Sequence, residues 1–392
     1  MNLALRLDGL PLALATAGAY LSQSADSFED YLQLYNNSWN DLSQYSSAPV
    51  DYEERTLYST WNVSLKHIQD QDPTAAKLLK LMAYLDNQEL WYELFQAGAG
   101  DAPAWWVDLL KGRARFNRAI STLHNYSLLE VSEGRYSLHT CVHDWTLEYL
   151  NHEFDGETCG IAIHCVAASV SWITEAEYWV RNRRVLPHAR RFEHVRLTAA
   201  IDWSGIDPRD LNLLAGLYQQ NDVNAEAEQM YMRALRGKEE AWGLEHTSTL
   251  DTVNNLAILY ADQGKMAEAE EMYVRALRGK EKAWGLEHTS TLDTVNNLAI
   301  LYKSQGKMAE AEEMYVRALR GYEKALQSET IPALNTVYNL GLLYCDQGRM
   351  EQAKTMLHRA VLGRQKVLGP HHPYTLKIVN YLKQLDVEVA EK

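Results

Sequence analysis

Four groups of side chains in this 392-residue chain have types that could do chemistry. His139-Thr140-Cys141-Val142-His143, with Cys159, His164 and Cys165 downstream, offers imidazole and thiol groups, the donors that zinc prefers. Their spacing matches no common zinc module, and no glutamate follows the first histidine as it does in H-E-x-x-H sites. A strand expected at His139 and a helix at His143 would also keep the two off one helical face. His143-Asp144 could make a general base, but no G-x-S-x-G elbow occurs to supply a nucleophile. Glu268, Glu270 and Glu271 could pair as acid and base; they fall on the outer face of a repeating helix and read as solvated. Arg181, Arg183, Arg184, Arg190, Arg191 and Arg196 could hold an anion. The simpler reading is a solvated helix between domains, and an anion site is the lesser one. No catalytic residue and no metal site follow, so the chain reads as a non-enzyme.

The composition narrows the field further. Acidic residues outnumber basic ones by 52 to 38, for a formal net charge of −14, which makes a poor general binder of nucleic acid or anionic membrane surfaces. Arg113, Arg115 and Arg118 enter one helix but do not change that balance. Four cysteines without a C-x-x-C pair are too sparse for a disulfide scaffold, and a reducing, cytoplasmic setting is expected. The apolar run Leu10–Leu21 is shorter than a bilayer span, and Pro11 and Gly18 interrupt it. A buried helix suits it better than a secretion signal.

The second half repeats. "WGLEHTSTLDTVNNLAILYADQGKMAEAEEMYVRALR" starts at Trp242 and returns at Trp284, 42 residues on. Two positions differ, Ala261/Lys303 and Asp262/Ser304, and weaker copies flank the pair on both sides. Each unit reads as two helices, one over about 250–263 and one over about 266–283, with Gly264 ending the first in a left-handed cap. Ser248 or Thr249 is the expected N-cap. Small Ala257, Ala269 and Ala276 let helices approach, and Tyr260, Tyr273 and Leu277 fill the gaps between units. One such hairpin cannot bury its apolar face alone, whereas a stack can.

Asn255-Leu256-Ala257, Tyr260, Gly264, Ala269, Tyr273 and Ala276-Leu277 resemble the tetratricopeptide repeat in its 42-residue, kinesin-light-chain-like form. The tail Leu368-Gly369-Pro370-His371-His372-Pro373 resembles that form's link between helices. The resemblance covers about 209–385 and implies a groove, lined by the first helices, that binds a protein or peptide partner. Its lining would be Asn254, Asn255, Ile258 and Asp262, then Asn296, Asn297, Ile300 and Ser304, then Tyr338, Asn339, Leu342 and Asp346. The asparagines either grip a peptide backbone or tie neighbouring helices together. The variable position 262/304 would face that groove.

In the first half, residues 55–153 read as a helical domain with one β-hairpin, "LLEVSEGRYSL", turning at Glu133-Gly134. Helices followed by a small hairpin suggest a winged helix. Gly9-Leu10-Pro11-Leu12-Ala13 resembles the GLPL motif of NB-ARC switch ATPases, the module of NOD-like (STAND) receptors. Val142-His143-Asp144, after the hairpin, resembles their MHD motif, and "VLPHARRF" resembles the linker to the repeats in fungal members. The resemblance implies a mainly α chain in four parts: an NB-ARC remnant at 1–48, a winged-helix-like domain at 55–153, a helical linker at 154–208, and the repeat solenoid at 209–385. It implies that Pro11 packs near adenine and His143 contacts the β-phosphate of ADP in an intact parent with ADP or ATP as its nucleotide; Asp144 is expected to cap or brace the following helix. It also implies assembly into homo-oligomers on activation. The sequence departs from that family in lacking G-x-x-x-x-G-K-[ST], so no cofactor is expected for this chain alone. The function expected is the rear half of a nucleotide-switched receptor, with a free-standing repeat adaptor as the alternative.

Overall fold

The computed structural model describes residues 3–45, 52–100, 102–151, 153–171, 178–198, 201, 203–326 and 330–390. Residues 46–51, where the first expected boundary falls, and the side chain of Arg196 lie outside the described residues. The chain is mainly helical and divides into two compact units, Met1–Ile206 and Asp207–Lys392. No described helix is long and apolar enough to cross a membrane.

The first unit begins with α1 (Leu3–Arg6), α2 (Pro11–Gln23), α3 (Phe28–Tyr45), α4 (Tyr52–Gln71) and α5 (Pro73–Met82). Asp8 and Gly9 take positive φ (56° and 68°), which turns the chain back before Pro11 opens α2 at a position where its missing N–H costs nothing. Ala13, Thr16, Ala17 and Tyr20 are the buried face of α2, and Tyr20 packs on Tyr31 and His67. β1 (Leu90–Trp91), α6 (Tyr92–Ala97), α7 (Ala104–Leu110) and α8 (Arg113–Asn125) follow, then β2 (Glu130–Ser132) and β3 (Arg135–Ser137). Glu133 and Gly134 both have positive φ (50° and 77°), as a two-residue type I′ hairpin turn requires. The hairpin is not alone: β1 pairs antiparallel with the free edge of β3, Leu90 opposite Tyr136, giving the order β1-β3-β2. Two residues are too few to show strand alternation, so β1 left no signal in the sequence.

α9 (Thr140–Trp145) runs into one π-helical turn at Thr146–Leu150. α10 (Gly156–Ala168) is apolar all round and buried, and Asp155 caps it by accepting from Thr158 N–H at 3.0 Å. α11 (Tyr178–Thr198) buries Val185, His188, Ala189 and Phe192. This arginine-rich helix is therefore packed on one face rather than solvated throughout.

The second unit stacks four helical hairpins: α12 (Pro208–Gln220) with α13 (Asn224–Trp242), α14 (Thr247–Asp262) with α15 (Met266–Trp284), α16 (Thr289–Ser304) with α17 (Met308–Leu326), and α18 (Ile331–Asp346) with α19 (Met350–Leu368). α20 (Pro373–Ala390) closes the stack. Ala257, Ala269 and Ala276 are fully buried, and Tyr273 and Leu277 pack on Leu292, Val295 and Leu298 of the next unit. Tyr260 is half-buried, packed against the same cluster with the Lys265 amine over its ring. Gly279 lets α15 press on its own hairpin partner; a Cβ there would lie 2.5 Å from Leu250 Cδ1.

Two features of the repeat differ from expectation. The first helices start at Thr247 and Thr289, and their caps are His246 and His288, whose Nδ1 accepts from Ser248 N–H (3.2 Å) and Ser290 N–H (3.3 Å). Thr249 and Thr291 instead donate to the carbonyls of Gly243 and Gly285 at 3.0 Å, closing the link from the preceding helix. An imidazole can cap because it has an acceptor nitrogen when neutral. Glu270 is also not merely solvated. It accepts from Gln305 (3.0 Å) and pairs with Lys307 (3.0 Å), a rung repeated by Glu228 with Lys265 and by Glu312 with Arg349.

A cation is buried at one register in three of the repeats, where the α16–α17 unit instead has Tyr322, buried and donating its hydroxyl to Asp293. Lys280 is 2% exposed, and its amine reaches Asp251 of its own unit at 2.7 Å and the Ser290 carbonyl of the next at 3.5 Å. Lys238 is 3% exposed and donates to Thr252 (2.8 Å) and the Ser248 carbonyl (3.2 Å). At the same register Arg364 holds Asn335 (2.6 Å) and the Tyr374 carbonyl (3.2 Å). Burial pushes the Lys238 amine down to about 8 from its ordinary 10.5. The unfolded chain therefore binds more protons in that interval, and stability contributed at this site rises as pH climbs from about 8 toward 10.5. Urea unfolding at pH 8 and pH 9.5 is expected to show wild type gaining about 1–2 kcal/mol on Lys238→Met over that step. A gap that does not change with pH would remove the burial penalty from this account.

Candidate functional site

The first helices of the hairpins pack side by side, and polar groups bridge them at regular register. Thr252 donates to Asn212 at 3.0 Å, and Thr336 to Asn296 at 3.0 Å. Gln219 donates to Asp262 at 2.9 Å, and Lys303 pairs with Asp346 at 2.8 Å. The last two contacts account for the pair of positions that differ between the near-identical units. Position 261/303 of one unit faces position 262/304 of the next, so the two sites are coupled partners at a junction as well as surface residues.

The twelve proposed lining residues thus fall into two sets. Asn296, Asp262 and Asp346 take part in ties between helices. Tyr338 is half-buried with the Arg364 guanidinium 5.4 Å from its ring centre, and Ser304 turns back onto the Leu301 carbonyl at 2.7 Å. Asn255, Asn297 and Asn339 are different. All three amides are half-buried, sit 42 residues apart, and make no hydrogen bond among the described residues. Ile258 and Leu342 are half-buried and Ile300 is exposed one helical turn further along the same helices. Asn254 is buried and its Oδ1 has no partner among the described residues. Sequence reasoning missed Gln219, Lys303 and the buried Lys280. The available signal for Lys280 was a cation four residues beyond Ala276 on the apolar stripe, returning at Lys238 and Arg364 but replaced by Tyr322 in the repeat between.

In the first unit, His143 lies buried in α9. Its Nε2–H donates to the Leu85 carbonyl at 2.8 Å, and Nδ1 accepts from Arg191 at 3.4 Å. Burial, followed by the Arg191 charge, holds the imidazole below its ordinary value, so the ring is neutral. Asp144 lies inside α9 beside this pair, 3.9 Å from Arg191, and does not cap a following helix, because the helix continues unbroken into the π turn. His139 is not on a strand. β3 ends at Ser137, and His139 caps α9, its Nδ1 accepting from Cys141 N–H at 3.3 Å. Cys159 and Cys165 are buried in α10, and no group of three potential metal ligands exists among the described residues. Pro11 is exposed at the start of α2. Both His143 nitrogens are engaged and the Asp144 carboxylate stands 3.7 Å from Nδ1. Of the arginines on α8, Arg113 lies over the Tyr92 ring and 3.6 Å from Glu93, and Arg115 donates to the Asp108 carbonyl at 3.3 Å.

The second unit, a stack of 42-residue hairpins, is an α-solenoid of tetratricopeptide repeats. A tetratricopeptide repeat model matches residues 210–282 and 249–324, and a second matches 334–374. The chain is also 28% identical over 268 residues to a nucleotide-binding leucine-rich repeat (NLR)-like protein of Hyaloscypha variabilis. That match takes in 63% of this chain and spans a quarter of the relative's length, 25%. Among solved structures, a putative kinesin light chain with nearly identical TPR-like repeats from Podosopora anserina is similar at 22% identity and a TM-score of 0.39, over 48% of this chain and 89% of that one. BtubC (BKLC) from P. vanneervenii is similar at 18% identity and a TM-score of 0.41, over 72% of this chain and 90% of that one.

His188 is a second buried histidine on α11, held by Asp86 N–H donating to its Nδ1 at 3.2 Å, and burial pushes it down to about 4 from 6.5. The unfolded chain binds more protons between those values, so this site's stability is lost as pH falls from 6.5 toward 4. His188→Asn keeps an acceptor for Asp86 and cannot titrate. Wild type is expected to lose on the order of 2 kcal/mol relative to this variant between pH 7 and pH 4.5, read from chemical unfolding curves. Parallel pH profiles would contradict it.

Proposed function

We propose that this chain is a non-catalytic interaction and signalling module whose repeats bind an extended peptide or protein segment along the first helices. The observation that carries the reading is the row of Asn255, Asn297 and Asn339, three unpaired amides at one register on neighbouring helices. Each amide can donate to a carbonyl and accept from an N–H, which suits a peptide backbone whatever its side chains. Ile258, Ile300 and Leu342 give apolar contacts one turn away. Asn212 and Asn296 serve the other role, tying helix to helix.

The relation to an NLR-like protein, and the order of the Gly9–Ala13 motif, the hairpin and His143, support a receptor context. In that reading the first unit is the rear of a nucleotide-controlled switch with a winged-helix-like domain, and ADP or ATP belongs to an intact parent. Partner binding would shift a closed-to-open equilibrium. A second reading is a free-standing adaptor, favoured by the repeat stack forming a compact unit of its own.

The groove is tested by panning a peptide library against the full chain and comparing two neighbouring asparagines. Asn297→Ala is expected to weaken the selected peptide about tenfold, the worth of one or two hydrogen bonds, and to leave the melting temperature unchanged. Asn296→Ala is expected to lower the melting temperature instead, because it removes the tie between α16 and Thr336 of α18. Equal losses of stability in both, with peptide binding intact, would make the asparagines structural and remove the groove.

A further inference from the structure

The first three turns of α11 and the turn at 86–89 enclose a cavity of about 420 Å³ in the first unit, within the range of small-molecule sites. Residues 179/180, 183/184 and 187/188 recur at helical spacing, so one face of α11 brings Trp179, Arg183, Arg184 and His188 to it together. Asp86, Gln88 and Glu89 form the opposite wall. The acidic groups of that wall are already engaged. Asp86 Oδ1 accepts from Gln88 N–H at 3.0 Å, and Glu89 takes Arg135 at 2.8 Å and lies 4.0 Å from Arg184.

The donors on the helix wall are in surplus. Arg183 is exposed and has no ion pair among the described residues. Arg184 lies over the Trp91 ring, 4.2 Å from its centre, which fixes the guanidinium plane while 39% of the side chain stays exposed. His188 uses Nδ1 as an acceptor, so the proton of its neutral ring is on Nε2, which has no acceptor among the described residues. A buried donor without a partner is costly to keep. At the rim, Trp179 and Val180 are 51% and 48% exposed, an aromatic and an aliphatic surface beside the cations.

We propose that this cavity binds a small organic monocarboxylate, the carboxylate held by the guanidinium of Arg183 with Arg184 and the apolar body lying on Trp179. The planar fork of arginine matches a carboxylate. The two carboxylates of the facing wall repel a phosphate dianion more than a single charge, which selects the carboxylic acid. The apolar lip selects a ligand with a hydrophobic body over a bare ion.

The test uses the full chain and ligand-observed saturation-transfer NMR with benzoate, benzamide and acetate as observed probes, and inorganic phosphate added as a competitor of the benzoate signal. Benzoate is expected to bind saturably, with a dissociation constant on the order of 1 mM for so small a probe. Benzamide, acetate and phosphate should each bind about tenfold more weakly, since each lacks the charge, the body or the single negative charge. Arg183→Gln and Trp179→Ala, both at exposed positions, should each weaken benzoate about tenfold with the melting temperature unchanged, and Arg183→Lys should recover part of the loss. No saturable benzoate binding, benzamide binding as well as benzoate, phosphate binding as tightly, or full binding by Arg183→Gln would each overturn the proposal.

Discussion

A helical hairpin leaves an apolar stripe that only another hairpin can cover, and in this protein a buried cation secures the covering. Lys280 reaches from the second helix of its unit to Asp251 on the first helix and to the Ser290 carbonyl of the next unit. A charge taken out of water is tolerated only when it is paired, so the amine constrains three helices at once. Gly279 acts with it by letting Leu250 lie against the backbone of α15. On another face the rungs of Glu228, Glu270 and Glu312 with cations of the following unit repeat the theme at lower burial, where each is worth little alone.

That economy of polar groups decides what is left for binding. The Thr–Asn and Gln–Asp bridges consume part of the surface along the first helices, and the Lys303–Asp346 pair consumes more. Asn255, Asn297 and Asn339 remain, adjacent to the bridges and made regular by them. Rigid spacing of unpaired amides is what an extended backbone needs from a partner, because an amide that must be ordered on binding loses part of its gain.

In the first unit the turn at Leu85 and Asp86 is held through two neutral histidines, His143 from α9 and His188 from α11. Arg191 joins the two helices through His143 Nδ1. A turn fastened by buried imidazoles is sensitive to protons and to whatever moves α11, and that same helix carries the arginines of the cavity. The receptor reading and the carboxylate site therefore concern one helix but different faces of its chemistry, and either can stand without the other.

Much of the architecture was legible in the chain itself. A 42-residue period with glycine at 264 and 306 and alanines at fixed register specifies a hairpin stack, since backbone conformation and side-chain volume act locally. Glu133-Gly134 likewise specifies its turn. The two-residue β1 was not legible, because a strand that short exists through its pairing with β3. The caps were misassigned to Ser248 and Thr249 for a related reason: which acceptor reaches the first free N–H depends on how the preceding link closes through Gly243. Burial of Lys280, the pairing of position 261/303 with 262/304 across a junction, and the division of the asparagines into ties and free amides were decided by tertiary structure alone. Each depends on the distance to a neighbouring unit, and sequence spacing determines the face of a helix but not what that face meets.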